Sequence, residues 1–411
     1  MPWATLARMC QGSAVPRLGR EAAFPAVAYA LLVTMIGTTL PTPLYPLYQS
    51  RFGFGELVIT VIFAVYAVGV IGALILTGRL SDEMGRRPVL LAGLACAALS
   101  SVIFLVAHSL APLLVGRLIS GLSAGTFTGT ATATLIDLSP ADKRQRSAAI
   151  AAAVTLGGLG LGPLLAGALA EANVIPIRLP YWMHLALLLP ALPGILLAPE
   201  SVKPKEHPRF APQKLAVPEE VRGTFVRAGL GGFAAFAFPG LFGSLGPTFL
   251  AKFLGFHSHV TAGAVVWLLF MASVLGQIAI VRISDRAALV TGDVGTVLAA
   301  GLVVGALLAE SLALLVLGGV AAGIGQGLAM GGGLAALAAE TPPERRGEVN
   351  ATFFVVLYSG LCVPTVAVGL LTQAIGLRSA GVVMSCVMGV IAAAVAVSLT
   401  RRRRQPVSGR S

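Results

Sequence analysis

Apolar residues run through this chain in blocks of about 17–28, each long enough to cross the hydrocarbon core of a bilayer as a helix. Twelve such blocks stand out, at 22–46, 57–78, 88–107, 111–137, 147–170, 179–198, 224–251, 260–281, 293–309, 312–339, 349–375 and 379–399. The segments between them are short, with one exception. Residues 199–223 form a charged stretch that holds Pro199, Pro204, Pro208, Pro212 and Pro218. It separates six predicted spans from six more. The pattern therefore predicts an all-α integral membrane protein with a tail over 1–21, a bundle over 22–198, a linker over 199–223, a bundle over 224–399 and a basic tail over 400–411.

The two halves also repeat each other at an offset of 200–203 residues. Gly53-Phe54 recurs as Gly255-Phe256, and Arg79-Leu80-Ser81-Asp82 recurs as Arg282-Ile283-Ser284-Asp285. Ser139-Pro140 with Asp142 and Arg144 recurs as Thr341-Pro342 with Glu344 and Arg346. With Arg178 aligning roughly with Arg378, four landmarks in steady register predict parallel repeats, two pseudo-symmetric six-helix bundles around a central cavity.

Composition agrees. Of 411 residues 56% are hydrophobic and 11% charged, against about 25% charged in soluble domains. That excludes a disordered chain, a fibre and an ordinary soluble enzyme. Cys10, Cys96, Cys362 and Cys386 are too scattered for a disulfide framework or a metal knuckle.

A net charge of +12 first suggests a nucleic-acid partner, but its placement argues otherwise. Of 29 Lys and Arg, 24 lie in the two tails, the segment 199–227 and the loops that follow even-numbered spans. Only Arg51, Arg178, Lys252 and Arg378 fall on the other face, and Arg117 is the one left deep within a span. This asymmetry predicts cytoplasmic termini in the plasma membrane. A nucleic-acid site is the weaker reading, since no aromatic residues interleave with these charges.

The loop after the second block reads Gly78-Arg-Leu-Ser-Asp82-Glu-Met-Gly85-Arg86-Arg87-Pro88. Gly78 permits close helix approach. Asp82 and Arg86, four apart, share one helical face. An acid here suits a helix N-terminus, and span eleven, beginning near Val349, offers one. This loop closely resembles the signature of the major facilitator superfamily. The resemblance implies a gating charge cluster of Gly78, Asp82, Gly85, Arg86, Arg87 and Asp137, holding one face shut. Glu83 departs from the family pattern, which has a basic residue there.

Span four carries Arg117 ahead of Gly121 and Gly125, similar to the superfamily's second motif. A charge at that depth is functional by default, facing a cavity or a partner. Asp137, twenty residues on and so ~30 Å away, is no partner for it. Span five carries Gly158, Gly162-Pro163 and Gly167, which resembles the antiporter motif of drug exporters, with Ala166 in place of its first closing Gly. Ordinary small-residue packing is the alternative reading of that stripe.

No acid falls mid-span in this reading. Proton coupling would then use Asp137, Glu171 or His184, with Arg117 tuning the site. Polarity predicts cavity positions at Thr34, Thr38, Thr126, Thr130, Gln277, Gln326, Asn350 and Tyr358, with Phe236 and Trp267 as apolar surface. His257 and His259 make a poor metal site. No cofactor, metal or nucleophile constellation is expected, so the chain does not read as an enzyme.

The expectation is a secondary transporter, acting as a monomer and exporting a small amphiphile in exchange for protons. The lack of clustered acids favours a neutral or anionic cargo over a dication. A metabolite importer of the same superfamily stays open as the alternative. So, in a different class, does a non-transporting sensor.

Overall fold

The computed structural model describes residues 18–172, 175–202, 204–205 and 212–401. The terminal tails beyond Leu18 and Arg401 and the middle of the linker lie outside the described residues. Every long element is a helix, as lipid demands, since only internal hydrogen bonds can satisfy a backbone there.

Span one is Arg20–Thr39, broken at Pro41 and Pro43 by a tight turn, Thr42–Leu44, and continued by Tyr45–Phe52. Spans two to six are Glu56–Thr77, Arg86–Val106, Leu110–Leu138, Arg144–Glu171 and Leu179–Leu197. Span seven is Glu219–Ser244, continued by Gly246–Phe253. Spans eight to ten are His259–Ala279, Asp285–Ala309 and Leu312–Glu340. The last helix, Arg346–Arg401, is broken at Gly376, whose φ of 80° no helix contains. The break yields spans eleven and twelve, 346–375 and 377–401.

The duplication reappears in the backbone. Spans four and ten are both 29 residues long, and each is followed by a tight turn, Ala141–Lys143 and Pro343–Arg345. Gly53 and Gly255 adopt matching left-handed conformations, φ 70° and 68°. Twelve helices thus form two six-helix bundles of the same plan.

Span nine corrects one expectation. It starts at Asp285, eight residues before the predicted 293. Asp285, Arg286 and Asp293 interrupt the apolar run, yet a helix needs only paired backbone groups. Asp293 therefore lies inside a span, ~12 Å along its axis.

The halves meet chiefly through two helix pairs, five with eight and two with eleven. Close approach rests on glycine. A Cβ on Gly263 would collide with the Pro163 carbonyl, and one on Gly167 with the His259 carbonyl. These contacts lie on the face away from the linker. There Glu171 accepts hydrogen bonds from the Ser258 hydroxyl (3.0 Å) and the Val260 N–H (3.1 Å), and Lys252 pairs with Glu56.

Candidate functional site

The face opposite those contacts is open. A cavity of about 520 Å³ runs between the bundles and reaches Gln145 and Val281, at the ends of spans five and eight nearest the linker. Its walls are mostly apolar, with Phe63, Tyr66, Phe236, Phe270, Phe354 and Tyr358 as its aromatic surfaces.

At its inner end lies Arg117, only 1% exposed. Three rings surround the guanidinium, whose carbon stands 4.8 Å from the Tyr66 ring centre, 5.5 Å from Phe63 and 6.0 Å from Tyr45. Nη1 donates to the Thr38 carbonyl at 2.6 Å. The kinked end of span one supplies both Thr38 and Tyr45, so the Pro41 and Pro43 break helps build this box. Arg117 Nε has no hydrogen-bond partner, nor has Gln277 Nε2 on the far wall. No carboxylate lines the cavity among the described residues. Rings and one carbonyl therefore hold the charge without neutralising it.

Of the predicted cavity residues, Thr38, Phe236, Gln277, Gln326 and Tyr358 line this space. Thr34, Thr126, Thr130, Trp267 and Asn350 are not among its lining residues. Thr34 is buried and bonds back to the Ala30 carbonyl at 2.8 Å, and Trp267 packs at Gly160 of span five. On span four the wall carries Thr128 and Thr132 in place of Thr126 and Thr130. Gly121 and Gly125 set that rotation, because both press on the backbone of span two.

His184 takes a structural position. Its Nδ1 lies 2.7 Å from Ser101 Oγ and its Nε2 lies 3.0 Å from the Val33 carbonyl, with the ring against Gly37. It ties span six to spans three and one, away from the cavity. In span five, Gly158 and Gly162 receive span one, while Pro163 and Gly167 receive span eight.

The charged loop is assembled on the linker face. Arg86 reaches Asp82 at 2.6 Å, Asp137 at 3.3 Å and the Ser81 hydroxyl at 2.7 Å. Gly85, at φ 96°, turns the chain into span three. Glu200 was not anticipated. Its carboxylate accepts from the Arg86 N–H (2.7 Å) and the Arg87 N–H (3.0 Å), capping span three. The linker is also pinned by Gln213, whose N–H donates to the Ile75 carbonyl at 2.7 Å. An acid just past a span, facing an uncapped helix start, was the available signal. Asp82 is exposed here and, among the described residues, its ion pair is with Arg86 and not with span eleven.

A family profile described as Major Facilitator Superfamily matches residues 27–309. The quinolone resistance protein NorA of Staphylococcus aureus is 26% identical over 159 residues, 39% of this chain and 40% of that protein. The multidrug resistance protein MdtL of Klebsiella pneumoniae is 30% identical over 180 residues, 43% of this chain and 44% of that one. These matches span less than half the length of either relative. A bacterial homologue of the human lysosomal transporter Spinster, solved inward-facing and unoccupied, shares the fold at a TM-score of 0.71. It is 20% identical, with 95% of this chain and 99% of that one covered.

Proposed function

This chain belongs to the major facilitator superfamily, and from that premise we propose that it exports a small neutral or anionic amphiphile in exchange for protons. The observation that carries this reading is Arg117. A guanidinium held at span depth costs about 2.5–3.5 kcal/mol on insertion scales. Cation–π contacts return about 0.5–2 kcal/mol each, so the aromatic box can hold the charge without an acid. Its unpartnered Nε, with Gln277 Nε2 opposite, suits a cargo that brings acceptors to an apolar, ring-lined space. The names of the drug-resistance relatives support export, and a quinolone, with its carboxylate on an aromatic plate, has the right chemistry.

The basic linker and tails support a cytoplasmic position for the linker face, at the plasma membrane. The cavity is then open to the cell interior and closed outside. Closing the inner face brings Asp82 to the N-terminus of span eleven. Arg86, Arg87 and Asp137 steady it, and Gly78 and Gly85 shape its loop. The path lies within one chain, so a monomer suffices.

Everted membrane vesicles holding a proton gradient, reported by a quenched acridine dye, test the reading. Quinolones, anionic dyes and dicationic dyes are added in turn. Dequenching by quinolones or anionic dyes, lost in Arg117→Ala, is expected. Dequenching by dications alone, or equal responses in Arg117→Ala, would overturn it. Gradient-driven uptake into whole cells would favour the importer.

A further inference from the structure

An exporter driven by protons needs a group that carries the proton, and the central cavity has no acid. The three groups expected from the sequence are all engaged. Asp137 accepts from Arg86, Glu171 caps span eight, and both nitrogens of His184 are bonded. Asp293 differs. It is 2% exposed, lies inside span nine, and its Oδ2 has no hydrogen-bond partner. An ionised carboxylate wants several donors, and a bare charge at span depth is costly. Such a side chain suits a proton carrier better than a fixed anion.

Its surroundings provide a route. A second cavity of about 260 Å³ enters from the linker face between spans seven, nine, ten and twelve. Leu289 and Arg227 line it, and each lies one helical turn below Asp293 or its neighbour Gly231. The charged groups here are Arg227 on span seven, Asp285 and Arg286 on span nine, and Glu340 on span ten. Span twelve contributes Leu399, whose carbonyl accepts from Arg286. Thr224 donates to Glu340 at 3.0 Å, so this entrance is polar and hydrogen-bonded.

Span seven connects the two sites. A Cβ on Gly231 would collide with Asp293 Oδ1, so the backbone of span seven stands directly against the carboxyl group. Phe236 and Pro239, five and eight residues further along the same helix, line the substrate cavity. Any rocking of span seven alters both places at once.

Resting on the exporter reading, we propose that Asp293 is the proton-carrying group, reached from the linker face through this side cavity and separate from the substrate path. In the outward-open state the carboxylate takes a proton from hydronium of the outer solution, forming its O–H bond and leaving water. In the open state seen here that O–H bond breaks and the proton passes to water in the side cavity, forming hydronium.

Infrared difference spectra of the protein in lipid, between acidic and alkaline buffer, read this without any cargo. The wild type should show a protonated-carboxyl band that Asp293→Asn removes. Gly231→Ala, which crowds the group without deleting it, should shift the band. In proteoliposomes, Asp293→Asn should lose quinolone flux driven by a proton gradient while still exchanging labelled quinolone without one. An unchanged band in Asp293→Asn, or full gradient-driven flux, would overturn the proposal. If the wild type moves neither quinolones nor anionic dyes yet Asp293→Asn removes the band, the exporter reading fails and the proton site stands.

Discussion

Arg117 and His184 are both buried polar side chains in spans, and they differ in what surrounds them. Arg117 keeps an unpartnered nitrogen at a cavity wall, whereas both nitrogens of His184 are spent on Ser101 and Val33. His184→Ala would leave the Ser101 hydroxyl without its partner and open a void beside Gly37. Unsatisfied buried groups cost about 1–3 kcal/mol, so the variant should melt several degrees lower while binding quinolone with unchanged affinity. Thermal unfolding in detergent and quinolone fluorescence check this. Weakened binding at unchanged stability would return His184 to the site. The sequence could not separate the two, because hydrogen bonds to distant backbone carbonyls leave no local pattern.

Helix boundaries followed from the sequence wherever apolar length alone decides them, as in spans four and ten. They slipped where charge enters a helix early, as at Asp285 and Asp293, and that slip concealed a buried acid. Rotation about the helix axis was harder to read. Thr126 and Thr130 were expected at the wall, yet Thr128 and Thr132 stand there, about 200° around span four. The glycines that press on span two fix this angle. Between spans five and eight, the seal depends on Gly263, Gly167 and Glu171. Glu171 faces the start of span eight, as Asp82 is proposed to face span eleven on the other side. Glu171→Gln weakens an anion at a helix N-terminus, an exposed interaction worth about 0.3–1 kcal/mol. It should shift the population two- to fivefold toward the outward-open state. Reactivity of a cysteine at exposed Gln145 with a membrane-impermeant maleimide, applied from the linker side, should fall. Unchanged reactivity would remove Glu171 from the outer latch.

The whole molecule is one plan used twice, with Gly53 and Gly255 as matching corners and a linker tied down by Glu200 and Gln213. The repeat was readable from four landmarks. What joins the halves was not, since contacts such as Gly263 on Pro163 connect residues a hundred apart. Two rigid bundles hinged about a cavity open on one face imply exchange with a second state closed there. Spin labels at Gln145 and Val281 on the linker face, and at Arg51 and Phe256 on the other, measure this by pulsed dipolar spectroscopy. In proteoliposomes at acidic pH with quinolone, the linker-face distance should shorten as the opposite distance lengthens, and Asp82→Asn should hold the linker face open. Distances that stay fixed while quinolone is transported, or that change in the same direction, would contradict the account.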